Sequence, residues 1–412
     1  MIEKTEEERI AKVNEARRKG LLSEDVFNMV EDFTSEFGFE KSSFIDGVAN
    51  PGTKSAKSLV SKLDRKMNQE NDPNFTLAQT GDIVRCSIIV DSYEQVVPLI
   101  KELQKSIPGL KGDVSENDTG YRGVHLSFTI DGFRTEMQIS TRDAWYVKQA
   151  GEEVYAKWRD FNLENELEKL LDMVDPEREA QRLKLVEELE LKQEHNMACR
   201  RMFGKLHENT DFEKWKNAIN AALVMNSNYP NEELPPEVID RFSVKKDGTL
   251  TDDELYKKCD EFSNLAKPAQ AKLISIATKA LDIAKNMGNT NPNDLLTYEE
   301  KTFILLKQEY GKILVAQSQE KFGNAFVVDD HVRTINAICN ERSLATIEYC
   351  REKGIKITSY KTLEAVLRNV NQSNTSTLLE TRVIGSEKLD KRIAKGIKDK
   401  ARVQEITGKR AA

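Results

Sequence analysis

The sequence is poor in the short signatures that identify a function early. Its five cysteines, Cys86, Cys199, Cys259, Cys339 and Cys350, form no CxxC pair. That spacing argues against a cysteine-type zinc site and fits reduced thiols. Only four histidines occur, His125, His195, His207 and His331, too few for a histidine-rich metal centre. There is no GxxxxGK[ST] and no GxGxxG, which removes the P-loop and dinucleotide-binding readings. No run of eighteen apolar residues is present, so no spanning helix is expected. The opening MIEKTEEERIAKVNEARRKG lacks an apolar core, so no secretory signal is expected and a cytoplasmic location is. A formal net charge of −7 gives no global basicity that would point to nucleic acid, although a local basic patch could still do so.

What is present is a 412-residue chain, 39% apolar and 32% charged, enough for two or three domains. Residues 3–20 are charged and helix-forming, and Ser23, followed by Glu24 and Asp25, caps a second helix to about Glu36. Asn-Pro-Gly chemistry makes 50–55 a loop, and 55–67 then reads as a helix with Leu59 and Leu63 on one face. The β-branched run DIVRCSIIVDS, residues 82–92, predicts a buried strand. Residues 93–107 are amphipathic at helical spacing, with Pro98 in an early turn. Two alternating runs, 123–131 and 133–140, meet at Asp131-Gly132, a strong hairpin signal. Whether 112–118 is ordered is left open, and 142–161 is helical again. Residues 1–161 therefore read as α+β with a small, mixed, mostly antiparallel sheet flanked by helices.

The chemistry sits in the same stretch. Asp82 opens one strand and Glu136 lies in another; side by side, both acids can face the same way. Paired carboxylates are hard oxygen ligands for Mg²⁺ and its nucleotide phosphates, and they equally suit solvated residues on an exposed sheet face. Lys54, Lys57 and Lys62 flank a loop-to-helix junction, Arg85 follows Asp82 by three, and Arg122 precedes the strand with His125. Phosphoryl transfer is mostly positioning and charge stabilisation, so it needs cations of this kind. Tyr121, at a loop-to-strand junction, suits stacking on a nucleobase or covering a sheet edge. His125 suits either a hydrogen-bonded strand histidine or a phosphate contact.

In their order, these pieces resemble the synthetase domain of the RelA/SpoT family, over roughly residues 40–160. The matching segments are 54-KSAKSLVSK-62, 81-GDIVRCSIIVDS-92, 120-GYRGVH-125, 136-EMQIST-141 and 152-EEVYAKWR-159. The resemblance implies a nucleotidyltransferase-like fold and an ATP-dependent pyrophosphokinase. The β,γ-pyrophosphate of ATP would pass to the 3′-hydroxyl of a guanosine or adenosine nucleotide, or to the 3′ end of tRNA. Asp82 would bind Mg²⁺, and Glu136 would bind a metal or act as general base on the acceptor's 3′-hydroxyl. Lys54 and Lys62 would hold the donor phosphates, Tyr121 would stack on the acceptor base with His125 near its phosphates, and Gln138 would support the acceptor ribose or the metal shell. The chain departs from the family at Gly52 and Ser87, where arginines are expected, and at 117-NDT-119, where a lysine is. Those changes look like the divergent, toxin-like members; the alternative is a family fold without activity, a nucleotide-binding or interaction protein. No His-Asp dipeptide occurs, so the family's hydrolase activity is not expected.

Residues 162–412 carry no motif and read as all-α, with helices over 163–174, 177–207, 211–225, 252–286, 297–321 and 330–353. Residues 325–328 are a brief β-branched piece, and the basic C-terminal stretch reads as a frayed helix or tail. This region suits a helical bundle, a surface for a protein partner, or intramolecular restraint of the first domain.

Overall fold

A computed structural model describes residues 47–49, 52–68, 72–116, 121–142, 144–145, 148, 180–181, 184, 212–224, 232–287, 291–373 and 375–407. The helices expected over 3–36 and 163–174, and most of those over 142–161 and 177–207, fall outside these residues. The architecture is α+β followed by an all-helical region. Two compact units divide the chain, Met1–Arg178 with Leu189–Pro292, and Glu179–Glu188 with Asn293–Ala412. No helix of the described residues is long and apolar enough to cross a membrane.

The first unit is built on a five-stranded sheet in the order β1-β2-β5-β4-β3, with β1 Val48–Ala49, β2 Val84–Val90, β3 Lys111–Glu116, β4 Arg122–Ile130 and β5 Phe133–Thr141. Only β2 and β5 run parallel; the other neighbours are antiparallel. The β4–β5 turn is the expected Asp-Gly hairpin. Asp131 (φ 51°) and Gly132 (φ 80°) both take positive φ, as a twist-matched two-residue turn requires. Gly132 also lies so close to Glu233 that a Cβ there would sit 2.7 Å from its carbonyl oxygen.

The strand expected from residue 82 begins at Val84, and Asp82 lies in the turn before it. The reason is local: the Ile83 carbonyl accepts the Lys54 N–H at 3.1 Å instead of joining the ladder. Period-two alternation then separates two faces. Val84, Cys86, Ile88, Leu126, Phe128, Met137 and Ile139 are buried on one. The other carries polar side chains.

Helices close the unit: α1 Ala56–Asn68, α2 Val96–Ser106, α3 Phe212–Val224, α4 Pro236–Phe242, α5 Asp252–Leu265 and α6 Lys267–Asn286. Ser55 caps α1, its Oγ accepting the Ser58 N–H. Leu59 and Leu63 anchor α1 with no exposed surface, each contributing about 1.5–3 kcal/mol of burial. The helix packs on α5, α6 packs on β2 and α2, and α3 packs on β3. The single helix expected over 252–286 is two: Pro268, second residue of α6, has no N–H to continue the ladder, and the chain turns at Ala266.

Two buried amides complete the sheet. Beyond the two-residue β1, the edge of β2 is unpaired, and Gln270 of α6 takes its place. Its Oε1 accepts from Arg85 N–H at 2.9 Å and its Nε2 donates to Arg85 C=O at 2.7 Å. On the opposite edge, Asn220 Oδ1 of α3 accepts the Val114 N–H at 3.2 Å. Buried backbone groups need partners, and each helix supplies one where strands run out.

The second unit, as far as it is described, is helical: α7 Tyr298–Phe322, α8 Val332–Glu352, α9 Tyr360–Gln372 and α10 Ser376–Thr407. A Thr297/Glu300 capping box opens α7. Helix α8 packs on α7, α9 and α10, with Phe303, Leu306, Ile338, Val366 and Ile393 in the core. Gly385 of α10 admits Ile338 of α8, where a Cβ would approach to 2.9 Å. Residues 325–328 lead from one turn of 3-10 helix, Gly323–Ala325, to the next, Val328–His331, and are not a strand, while the described part of the basic C-terminal stretch is helical, in α10, to Thr407.

Candidate functional site

The loop before α1 and the start of β2 are fastened together. Besides the Lys54 N–H bond to Ile83, Thr53 Oγ1 lies 2.8 Å from Ser263 Oγ of α5. This brings two lysines onto one carboxylate. Lys54 Nζ is 2.7 Å from Asp82 Oδ2, and Lys62 Nζ is 2.6 Å from Asp82 Oδ1. All three side chains are 13–17% exposed. Burial pushes the Asp82 carboxyl up, but the Lys62 and Lys54 charges and hydrogen bonds outweigh it and hold it down to about 2. Burial lowers the Lys54 ammonium; Asp82 works against that shift, while the neighbouring Arg85 and Lys62 charges reinforce it. Two ammoniums thus meet one carboxylate, with the Arg85 charge near Lys54, a local surplus of positive charge that suits an anionic ligand. Lys57 is exposed on α1 and does not join the Asp82 pairs.

Strand register sets the polar face. Arg85, Glu136, Ser127 and Lys111 form one row across β2, β5, β4 and β3, and Ser87, Gln138, His125 and Asp113 form the next. Arg85 and Glu136 are therefore direct neighbours on one face, the first three residues beyond Asp82. Gln138 Nε2 donates to Glu136 Oε1 at 2.8 Å. The parity of β4 puts Arg122 on the opposite side from His125, so the structure does not bring it to this face.

Tyr121 does not stand open. It is 6% exposed, and its OH lies 3.1 Å from His125 Nε2. Its ring folds over Gly123, where any Cβ would collide with the phenol. That close approach is why glycine follows Arg122. Sequence reasoning missed Lys148, whose ammonium donates to Gln138 Oε1 and lies 5.7 Å from the Tyr121 ring centroid and 5.2 Å from that of Trp145. It missed Gln270 as well, and Lys111 and Asp113, because their strand had no expected place.

Asp82 and Glu136 are hard carboxylates, too few to cage a metal without phosphate oxygens. No group of three or more His, Cys, Asp or Glu among the described residues could hold an ion alone.

No protein family matches the chain, and no curated protein does. A solved structure, the crystal structure of the complex between the type VI effector Tas1 and its immunity protein, is similar at 18% identity and a TM-score of 0.20, over 47% of this chain and 96% of that chain. A TM-score of 0.20 carries no inference about shared fold or activity.

Proposed function

We propose that the first unit is a RelA/SpoT-like, ATP-dependent pyrophosphokinase acting on the 3′-hydroxyl of a guanosine or adenosine nucleotide. The observation that carries this reading is the convergence of Lys54 and Lys62 on Asp82, beside Arg85 and its row neighbour Glu136. Cations, a carboxylate on their doorstep and a second carboxylate across the strand pair are the parts that pyrophosphoryl transfer needs.

In this reading the triphosphate of ATP draws Lys54 and Lys62 from Asp82 onto its oxygens, with Arg85 beside them. Asp82 and Glu136 would hold Mg²⁺, which supplies charge neutralisation to the phosphates when bound. Glu136 takes the proton of the acceptor's 3′-hydroxyl, whose oxygen forms a bond to the β-phosphorus. The bond from that phosphorus to the oxygen bridging to the α-phosphate breaks, and AMP leaves with the electron pair. Gln138 steadies Glu136, and His125 faces the acceptor side. Tyr121 would have to leave its buried place over Gly123 to stack on a base.

Full-length protein incubated with γ-labelled ATP, Mg²⁺ and GDP, GTP, ADP, ATP or bulk tRNA tests the proposal. Transfer of label to a nucleotide with equimolar AMP supports it. Label on tRNA alone moves the acceptor to the tRNA 3′ end, the toxin-like reading that the departures at Gly52, Ser87 and 117–119 suggest. ATP binding without transfer to any acceptor leaves a nucleotide-binding or interaction protein. The second unit or a protein partner would restrain such an activity in the cell.

A further inference from the structure

Lys148 lies in the helical residues that follow β5, outside every segment whose chemistry was legible in sequence. Its ammonium lies 5.2 Å from the Trp145 ring centroid and 5.7 Å from that of Tyr121, and donates to Gln138 Oε1. Gln138 in turn donates from Nε2 to Glu136 Oε1 at 2.8 Å. An ammonium has donors only and a carboxylate has acceptors only. An amide wedged between them has one workable orientation: oxygen to Lys148, nitrogen to Glu136. Remove the ammonium, and the amide oxygen loses its donor, so that the Glu136 end alone holds the amide.

We infer that Lys148 is a positioning residue: through the Gln138 amide it fixes the Glu136 carboxylate, committing Oε1 to Gln138 and leaving Oε2 for the reacting groups. The Trp145 and Tyr121 rings add cation–π attraction that favours this placement of the ammonium. The inference deepens the transferase reading and relies on it for the catalytic consequence, whereas the Lys148–Gln138–Glu136 chain is a property of the protein without substrate.

The test uses full-length protein labelled with ¹⁵N in glutamine side chains, with Gln138→Leu to identify the signal. In wild type and Lys148→Arg, the two Gln138 amide protons resonate apart and one exchanges slowly. In Lys148→Met they converge on the values of a solvent-exposed amide. Lys148→Gln, which can present either end of its own amide, gives an intermediate separation and serves if the methionine variant unfolds. Unchanged Gln138 resonances in Lys148→Met would overturn the inference. In the transfer assay Lys148→Met lowers kcat about 100-fold with KM for ATP unchanged, as expected when a reacting group loses its alignment, and Lys148→Arg restores most of it. A fall in ATP affinity with kcat intact also overturns it. If wild type transfers label to no acceptor while Gln138 behaves as stated, the positioning stands and the transferase reading falls.

Discussion

Lys62, in the second turn of α1, meets Asp82, in the turn before β2, at 2.6 Å. That contact, with its Lys54 counterpart, ties a helix to the strand that carries Arg85 and so sets the distance between the cations and the polar sheet face. It also makes the site's resting charge pattern: Asp82 is held by ammoniums that a polyphosphate would compete for.

Asp82 should therefore couple stability to acid. Its carboxyl titrates at about 2 when folded, against an ordinary 3.8. A depressed folded value means stability that is present above the unfolded value and is lost as pH falls through the folded one. The contribution is about 2 kcal/mol, lost between roughly pH 4 and pH 2. Urea unfolding of wild type and Asp82→Asn should differ by a constant amount above pH 5, and the gap should narrow as pH falls to 2. A gap independent of pH across that range would show that the lysine pairs do not set this carboxyl.

The three lysines should separate in nucleotide binding. Lys54→Met and Lys62→Met each remove a charged hydrogen-bond donor and should weaken ATP binding about 10- to 100-fold by calorimetry. Lys57→Met, on the exposed side of α1, should bind as wild type does. A Lys57 effect as large as that of Lys62 would mean that the phosphates lie elsewhere.

Gly123→Ala should force the Tyr121 ring off β4 and cost about 1–3 kcal/mol by overpacking. In a Tyr121→Ala background the same change should cost much less. Thermal unfolding of the four proteins in this double-mutant cycle gives the coupling, and additive costs would mean that the ring does not rest on Gly123.

Gln270→Leu should destabilise the first unit by about 1–3 kcal/mol for each Arg85 backbone group left unpaired. Hydrogen exchange should show the Arg85 N–H deprotected in this variant. Protection equal to wild type would indicate that another group had taken the amide's place.

How much of this could be read in advance follows from the range of the interactions. The β4–β5 hairpin was legible because Asp131 and Gly132 are the two residues that a positive-φ turn requires. The buried run of β2 was legible from its own composition, and so was α1 from Ser55, Leu59 and Leu63. Strand β3 was not: Lys111–Glu116 is polar, and what makes it a strand is pairing with β4 and the Asn220 cap. Gln270 bonds to a residue 185 positions away, with nothing local to announce it. The polar rows needed the register, which sequence alone leaves free, and the same register sends Arg122 to the other face while setting Arg85 beside Glu136. Lys148 reads as one charge among many on a helix until β5 brings Gln138 to it.

The most direct measurement of the central claim is transfer from γ-labelled ATP by wild type and by Glu136→Gln, each shown to be folded and to bind ATP. The account predicts label on an acceptor with equimolar AMP from wild type, and neither from the variant although its ATP affinity is kept. Equal transfer by both proteins would contradict it, since Glu136 would then not be the group that takes the proton.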